Sequence, residues 1–287
     1  MIQIFNSWQF NIFAALVLSL GFNQGYKLVA GKSSDDGALT IILQLIAGLS
    51  VLVLAPLFKF TFAREPKVYL LFLLAVCFYT INDRLQTTIR KHLEVSVVMI
   101  LSQLFNVFVV VIGLLIFREP LVWLRLLGAG LILGANVYLF YQRGQFDFNR
   151  YFVFAIIANL ALAIAVSTDI GLSRLFNLPL YIAVTLIFPP VLIKLSERIP
   201  LKDIWQEYQR ANKKWLCFTA VSWGLMIFFF LRAFLFGPIT LLVPLWSTSV
   251  LLNVLVAFLW FRERDELRKK IIAALMVMGG IYLTIAS

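Results

Sequence analysis

Charged residues are scarce in this sequence. Asp, Glu, Lys and Arg make up 14% of its 287 residues, hydrophobic residues make up 62%, and the mean hydropathy is +0.93. Soluble domains carry about 25% charged residues. This shortage of charge excludes an ordinary soluble domain and predicts an integral membrane protein.

Histidine and cysteine are nearly absent. The chain has one histidine, His92, in the loop predicted to follow the third helix, and two cysteines, Cys77 and Cys217, inside predicted helices. Catalytic centres and zinc sites use Cys-His pairs, Ser-His-Asp arrangements or clusters of metal ligands, and the sequence contains none of these patterns. We therefore expect no metal site, no cofactor and no catalytic residue, and we expect that the protein is not an enzyme.

Long apolar runs, by contrast, are abundant. About 20 apolar residues cross the bilayer core as one helix, whereas barrel strands alternate over about 10 residues. Ten such runs or near-runs are separated by short charged loops, so the predicted fold class is an all-α integral membrane protein with ten transmembrane helices. The predicted spans are, at about these bounds, 8–30, 38–58, 68–88, 95–117, 121–141, 151–175, 178–195, 215–236, 238–260 and 267–287.

Basic residues outnumber acidic ones, with a formal net charge of +11. They lie in short loops beside apolar segments, which is typical of loops that contact lipid headgroups, so we expect a lipid bilayer and no nucleic acid as partner. The longest loop, Ser196–Lys214, contains Ile204, Trp205 and Tyr208. This spacing fits a short helix along the headgroups, and a solvated connector fits equally well.

The sequence repeats with an offset of 144 residues. The tripeptide Phe-Arg-Glu at 117–119 recurs at 261–263, and the dipeptide Tyr-Leu at 138–139 recurs at 282–283. Because both matches share one offset close to half the chain length, the sequence predicts two five-helix units, residues 1–143 and 144–287. An odd number of spans forces the second unit to enter the membrane in the opposite direction, so the repeats are expected to be inverted and to enclose a midplane site.

Three segments carry a further likeness: 117–134, with the sequence FREPLVWLRLLGAGLILG; VPLWST at 243–248 followed by FRER at 261–264; and LMVMGGIYL at 275–283. With the doubled unit, they resemble the drug/metabolite transporter (DMT) superfamily and its EamA-type ten-helix members. In that family a glutamate closes the fourth helix of each repeat and a glycine-containing helix follows. The matching residues here are Glu119, Glu263, Gly128 and Gly279; the proline usual in the fourth helix is Pro244 in the second copy, with Ile100 in its place in the first.

The resemblance implies two EamA-like repeats in a multi-pass protein of the plasma (inner) membrane, with both termini in the cytosol. Charge argues for the other orientation, because most Lys and Arg residues fall on the side away from the termini and the positive-inside rule puts that side in the cytosol. Orientation therefore stays open.

Ionisable residues inside predicted spans are the candidate substrate-binding residues, because a charge at mid-membrane costs about 2.5 to 3.5 kcal/mol. Adjacent helical positions point about 100° apart, so Asp83 and Arg84 are expected to face different helices, with Asp169 a candidate partner of Arg84 or Lys27. Structural ion pairs, snorkelling of Lys27 to the interface and core packing of the tryptophans are the competing explanations. A polar glutamine and two tryptophans that lie away from helix ends are added to the ionisable residues. The candidate substrate-binding residues are Lys27, Asp83, Arg84, Gln103, Asp169, Trp223 and Trp246.

These features predict a secondary transporter that moves a small polar metabolite by alternating access. An excess of cations among the intramembrane charges favours an amino acid or an organic anion as the solute. A carboxylate in a partly dry cavity could also carry H+, so proton coupling stays open, as does a homodimeric state. The alternative is a membrane-embedded scaffold or lipid-handling protein without solute flux.

Overall fold

The computed structural model describes residues 7–115, 122–142, 145–146, 149–169, 172–237, 239–261 and 267–286. The glutamates Glu119 and Glu263 lie outside these residues. The described chain is helical apart from two two-residue strands, β1 (Tyr141–Gln142) and β2 (Gln145–Phe146), which pair antiparallel between the two predicted units. Its α-helices are α1 (Trp8–Ala30), α2 (Asp36–Leu52), α3 (Pro66–His92), α4 (Val95–Leu101), α5 (Leu104–Leu115), α6 (Trp123–Phe140), α7 (Arg150–Asp169), α8 (Leu178–Ser196), α9 (Leu201–Arg210), α10 (Lys213–Phe236), α11 (Ile239–Phe261) and α12 (Leu267–Ile285).

Six of the described helical stretches are long and apolar enough to cross a membrane. They confirm the expectation of an all-helical chain suited to a membrane, and they correspond to the first, second, third, sixth, seventh and eighth predicted spans. Shorter apolar helices lie in the regions of the fourth, fifth and ninth spans, and α12 lies in the region of the tenth. The six are Trp8–Ala30, Asp36–Leu57, Pro66–His92, Arg150–Thr168, Leu178–Ser196 and Lys213–Ala233.

The third helix is longer than the sequence pattern indicated. It runs to His92, so His92 is the last residue of α3 and not part of a loop. Its Nδ1 lies 2.9 Å from the carbonyl oxygen of Thr88, one helical turn earlier, and its ring stacks on Tyr151 at 4.2 Å. The extra turn matters because it carries Arg90 into the buried part of the bundle.

The predicted fourth span is divided into α4 and α5. The division lies at Ser102 and Gln103, where the backbone takes a tighter turn and the Gln103 N–H donates to Ile100 O. The carbonyl of Leu101 accepts a hydrogen bond from Asn159 Nδ2 of α7 at 3.3 Å. A polar side chain from a neighbouring helix thus satisfies a backbone group beside the break, as an apolar environment requires.

The most extensive helix packing joins the first half of the chain to the second. In this packing α1 lies against α10, α2 against α8, α3 against α7, and α6 against α12. Counted within five-helix units, these are first with third, second with second, third with first, and fifth with fifth. Exchanging the halves leaves this set of pairs unchanged, which is the pattern that a pseudo-twofold axis produces.

Two hydrophobic clusters form the core, and both draw on the two halves. One is built mainly from α1, α2, α8 and α10, and the other from α4, α5, α6, α7, α11 and α12. Helix α3 takes part in both, because Phe72 and Val76 near its start belong to the first and Ile89 near its end belongs to the second. The residues of α3 between these points therefore lie at the junction of the two clusters.

Helices α6 and α12 approach each other closely at a glycine. A Cβ added at Gly280 would lie 2.6 Å from the carbonyl oxygen of Gly128 and 2.8 Å from Cγ1 of Ile132. At the neighbouring Gly279, an added Cβ would meet nothing within 4 Å. Small residues let membrane helices pack backbone against backbone, and here only one of two adjacent glycines has that role.

We predict that Gly280→Ala lowers the free energy of unfolding by about 1 to 3 kcal/mol, because the methyl group must push α6 and α12 apart. Gly279→Ala is the matched control and should leave stability unchanged or raise it by up to about 1 kcal/mol through helix propensity. Thermal unfolding of both purified variants in the same detergent measures the difference. Equal melting temperatures would contradict the close contact.

Candidate functional site

The C-terminal third of α3 carries three polar side chains on one face. Asp83, Thr87 and Arg90 are spaced four and three residues apart, so they line up along one side of the helix. All three are buried, with Asp83 and Arg90 each only 8% exposed. Lipid cannot satisfy such groups, so this face turns towards the polar side chains of α1 and α2.

The Asp83 carboxylate is held by two neutral amides. Gln44 of α2 donates its Nε2 hydrogen to Oδ2 at 2.6 Å, and Asn82 donates its Nδ2 hydrogen to Oδ1 at 2.7 Å. Within the described residues, no Lys or Arg nitrogen lies within 4 Å of this carboxylate. The carbonyl oxygens of both amides, Gln44 Oε1 and Asn82 Oδ1, are buried and have no hydrogen-bond partner among the residues that the structure describes. This arrangement holds a negative group beside acceptors that are available to another donor.

A chain of hydroxyl groups joins three helices one turn further along α3. The Tyr26 hydroxyl of α1 lies 2.6 Å from Thr87 Oγ1, and Thr87 in turn shares a short hydrogen bond with Thr40 of α2. These side chains are at most 1% exposed. The chain fixes α1, α2 and α3 relative to one another directly beside Asp83.

Arg90 is a buried cation among aromatic rings. Its guanidinium donates to Asn23 Oδ1 at 2.7 Å and lies 4.9 Å from the ring centroid of Phe22 and 5.0 Å from that of Tyr26. Its Nε makes no hydrogen bond to any part of the chain that the structure describes. Trp223 of α10 stacks on Phe22, with 5.3 Å between the ring centroids and 26° between the ring planes. Cation–π contacts stabilise a desolvated guanidinium, and part of its donor capacity remains unused.

These contacts define a buried polar cluster enclosed by α1, α2 and α3, with a tryptophan from the second half of the chain packed against it. The cluster consists of Asn23, Tyr26, Thr40, Gln44, Asn82, Asp83, Thr87 and Arg90.

Of the residues predicted from the sequence, Asp83 belongs to this cluster and Trp223 packs against it. Lys27 lies close by but in another role. Its Nζ donates to the carbonyl oxygens of Lys91 at 3.2 Å and Leu93 at 2.6 Å, at the C-terminal end of α3. Helix ends carry unsatisfied carbonyl groups and a partial negative charge, so Lys27 caps this end.

Arg84 points away from Asp83, as expected for adjacent helical residues. Its Nε donates to Glu197 Oε1 of the α8 C-cap at 2.6 Å, and its NH1 donates to Thr88 Oγ1 at 3.0 Å. The pair borders an open cleft of about 230 Å³ between α3 and α8. Residues lining the cleft are Thr80, Ile81, Arg84, Leu85, Ile193, Ser196 and Glu197.

The remaining predicted residues lie elsewhere. Gln103 sits at the break between α4 and α5, where its side chain contacts Ser102 and Asn106. Trp246 of α11 packs on Phe230 at 4.5 Å, in a small apolar group around α1 and α10. The backbone of Asp169 ends α7, and its side chain lies outside what the structure describes.

Sequence reasoning missed Arg90 and Tyr26. The sequence does contain a signal for Arg90, because it follows Asp83 by seven residues and two helical turns bring such positions onto one face. The signal was lost where α3 was expected to end near Thr88. Tyr26 looked like an ordinary aromatic residue in an apolar helix, and only its contact with Thr87 distinguishes it.

No protein-family model and no curated protein matches the chain. Among solved structures, the chain is similar in fold to one described as "Crystal structure of protein", with a TM-score of 0.62. The two share 15% sequence identity, and the match covers 96% of this chain and 95% of the other. At this identity the similarity establishes a common fold over nearly the full length and carries nothing about function.

We predict different outcomes for two changes at Asp83. Asp83→Ala should lower the free energy of unfolding by about 1 to 3 kcal/mol, because Gln44 and Asn82 lose their acceptor in a buried site. Asp83→Asn should cost less than about 1 kcal/mol, because the Gln44 amide can turn its unpartnered oxygen towards the introduced NH2 group. Thermal unfolding in detergent compares the two. A loss for Asp83→Asn as large as that for Asp83→Ala would mean that the negative charge itself holds the cluster together.

The Arg84–Glu197 pair should add little to stability. Its side chains are 25% and 38% exposed, and ion pairs of this kind are worth about 0 to 1 kcal/mol. A double-mutant cycle with Arg84→Ala and Glu197→Ala measures the coupling energy. A coupling well above that range would show that the pair is shielded from water.

Proposed function

We propose that the protein is a secondary transporter for a small polar solute, of the EamA-type drug/metabolite transporter kind, in the plasma (inner) membrane. The buried polar cluster around Asp83 carries the proposal. Ionisable groups deep in membrane helices are costly and most often belong to a path for a solute or ion. A buried carboxylate with no cation within 4 Å is the strongest such feature in the described part of the chain.

The composition of the cluster supports a charged or zwitterionic solute. Asp83 offers a carboxylate to an amine, while Arg90 offers unused donors to a carboxylate from the same face of α3. The unpartnered oxygens of Gln44 and Asn82 add acceptors beside Asp83. An amino acid carries both an amine for Asp83 and a carboxylate for Arg90, whereas an organic anion carries only the group for Arg90.

The helix pairing supports two inverted repeats and ten spans. Each of the main contacts joins one half to the other, and the set survives exchange of the halves. A second set of contacts is also unchanged when the halves are exchanged. The contact of α2 with α10 corresponds to that of α8 with α3, and the contact of α5 with α7 corresponds to that of α11 with α1. Two copies related in this way can exchange conformations, which is the basis of alternating access in transporters with inverted repeats.

Ion pairs join α3 to α8 and α2. They support a state in which the bundle is closed at this end of α3. Lys91 lies 2.9 Å from Asp36 Oδ1, and Thr88 donates to Asp36 Oδ2 at 2.8 Å. The Arg84–Glu197 pair lies next to Asp83 on α3. The most distant of these contacts, at Lys91, lies eight residues beyond Asp83, which is about 12 Å along the helix axis. In a transport cycle they would break when that end opens and reform when it closes.

A scaffold without solute flux is the second candidate. In its favour, the hydroxyl chain and the Arg90–aromatic contacts join three helices and would serve stability alone. The described cleft also lies beside Arg84, about 100° round α3 from Asp83. Both candidates explain burial of the cluster, and they differ in whether Asp83 affects flux or only abundance.

The deciding experiment is uptake into proteoliposomes of a panel of amino acids, organic acids and amines, with and without a pH gradient. We expect flux of at least one solute, reduced about 10- to 100-fold by Asp83→Asn, because a charge-assisted hydrogen bond to the solute is worth about 1.5 to 3 kcal/mol. Asp203→Asn, the same substitution at a residue of α9 outside the cluster, is the matched control and should retain flux.

Absence of flux for every solute with well-folded wild-type protein would support the scaffold. Equal flux for Asp83→Asn and wild type would remove Asp83 from the solute path. Flux that ignores the pH gradient would exclude proton coupling and leave transport standing.

A further inference from the structure

The corner between α8 and α9 carries an exposed surface that transport does not explain. Leu201 and Trp205 of α9 are 70% and 61% exposed, and a spacing of four residues puts them on one side of the helix. Arg198, in the turn before α9, and Lys202, in its first turn, are exposed as well. We call these four residues the α9 outer face.

The neighbouring side of α9 packs on the bundle. Ile204 and Tyr208 contact the hydrophobic cluster of α1, α2, α8 and α10. Glu207 is 3% exposed and accepts hydrogen bonds from Ser34, at 3.3 Å from the backbone N–H and 2.7 Å from the hydroxyl. The Trp205 ring lies 5.6 Å from the Tyr208 ring, so the exposed residues border the packed ones. These contacts anchor α9 to the bundle.

Acidic and basic side chains separate between the two sides. Glu207 faces the α1–α2 turn, and Glu197 is engaged by Arg84. Arg198 and Lys202, in contrast, make no hydrogen bond or ion pair with any residue that the structure describes. The segment thus presents its cations outward and turns these two carboxylates towards the protein.

Both cations occupy positions that local structure disfavours. Arg198 has φ 53°, the left-handed conformation, in a Schellman turn where Ile199 N–H donates to Lys194 O at 3.1 Å and where glycine is the usual residue. Lys202 lies in the first turn of α9, where the partial positive charge of the helix end repels a cation. Two neighbouring cations, each in a position that local structure disfavours, point to a contact outside the chain.

The outer face continues an apolar surface that faces lipid. Phe188, Val191 and Leu195 lie along one side of α8 and are 44%, 51% and 67% exposed. The exposed turn of Ser196, Glu197 and Arg198 separates them along the chain from Leu201 and Trp205. Tryptophan beside Lys and Arg at the end of a membrane helix is typical of the headgroup level.

We propose that the α9 outer face binds the anionic headgroups of the adjacent leaflet, with Arg198 and Lys202 contacting lipid phosphates and Leu201 and Trp205 inserted below them. The bilayer surface is the occupant because exposed apolar side chains of α8 and α9 flank the exposed cations on both sides along the chain. The charge of the cations complements anionic lipid, and a zwitterionic headgroup offers no such net attraction.

The test uses the full-length protein in bilayers with brominated phosphatidylglycerol or brominated phosphatidylcholine, which quench tryptophan on contact. The Trp205 signal is the difference between each protein and the same protein carrying Trp205→Phe, because the chain has seven tryptophans. We expect Trp205 to prefer phosphatidylglycerol, and we expect Arg198→Gly with Lys202→Gln to reduce the preference about fivefold for each cation removed. Arg268→Gln, at an exposed basic residue of α12, is the control and should keep the preference.

A second measurement separates lipid binding from folding. In phosphatidylcholine, Arg198→Gly should raise the melting temperature or leave it unchanged, because glycine relieves the left-handed conformation. In phosphatidylglycerol the same change should reduce the stabilisation that this lipid confers on wild type. These opposite effects are expected only if Arg198 binds the headgroup.

Three outcomes would overturn the proposal. Equal quenching by the two lipids would show that α9 is a solvated connector, and an undiminished preference in the double variant would assign the contact to other residues. If soluble glycerol 1-phosphate stabilised wild type in phosphatidylcholine as strongly as phosphatidylglycerol does, the site would bind a free phosphate ester and not the membrane surface.

Discussion

The hydrogen bonds from Gln44 and Asn82 to the Asp83 carboxylate are the contacts on which the arrangement of the first three helices depends. In an apolar bundle, a carboxylate must be held by donors from the protein, since lipid supplies none. Those donors lie on α2 and on α3 itself, at 2.6 and 2.7 Å. Once α3 is orientated by Asp83, Thr87 and Arg90 follow on the same face and reach α1 and α2.

This orientation explains why neighbouring residues on α3 have such different roles. Asp83 turns into the bundle, and Arg84, about 100° further round the helix, reaches Glu197 at the cleft with α8. The end of the same helix is capped by Lys27 of α1. Helix α3 therefore carries the buried polar cluster on one side and the Arg84–Glu197 ion pair on another, and any movement of α3 would affect both.

Packing between the halves holds this helix in place. Each main helix pair crosses from one half to the other, and contacts such as that of Gly280 with Gly128 let the backbones approach closely. Where a helix breaks, at Ser102, Asn159 of the opposite half satisfies a carbonyl beside the break. The bundle thus depends on contacts between residues far apart in sequence, as do the two hydrophobic clusters that meet at α3.

The helical, apolar character of the chain could be predicted from the sequence, because membrane helices are recognised by their length and hydropathy. The offset of 144 residues is also visible without a structure. Intramembrane charge likewise singled out Asp83. Tertiary structure alone decided which polar groups meet. Arg84 and Asp83 are adjacent in sequence but face different helices, whereas Arg90, Tyr26 and Gln44 come together from three helices. Distances between helices are fixed by side-chain packing and by the point where each helix ends, and neither quantity is contained in a hydropathy pattern.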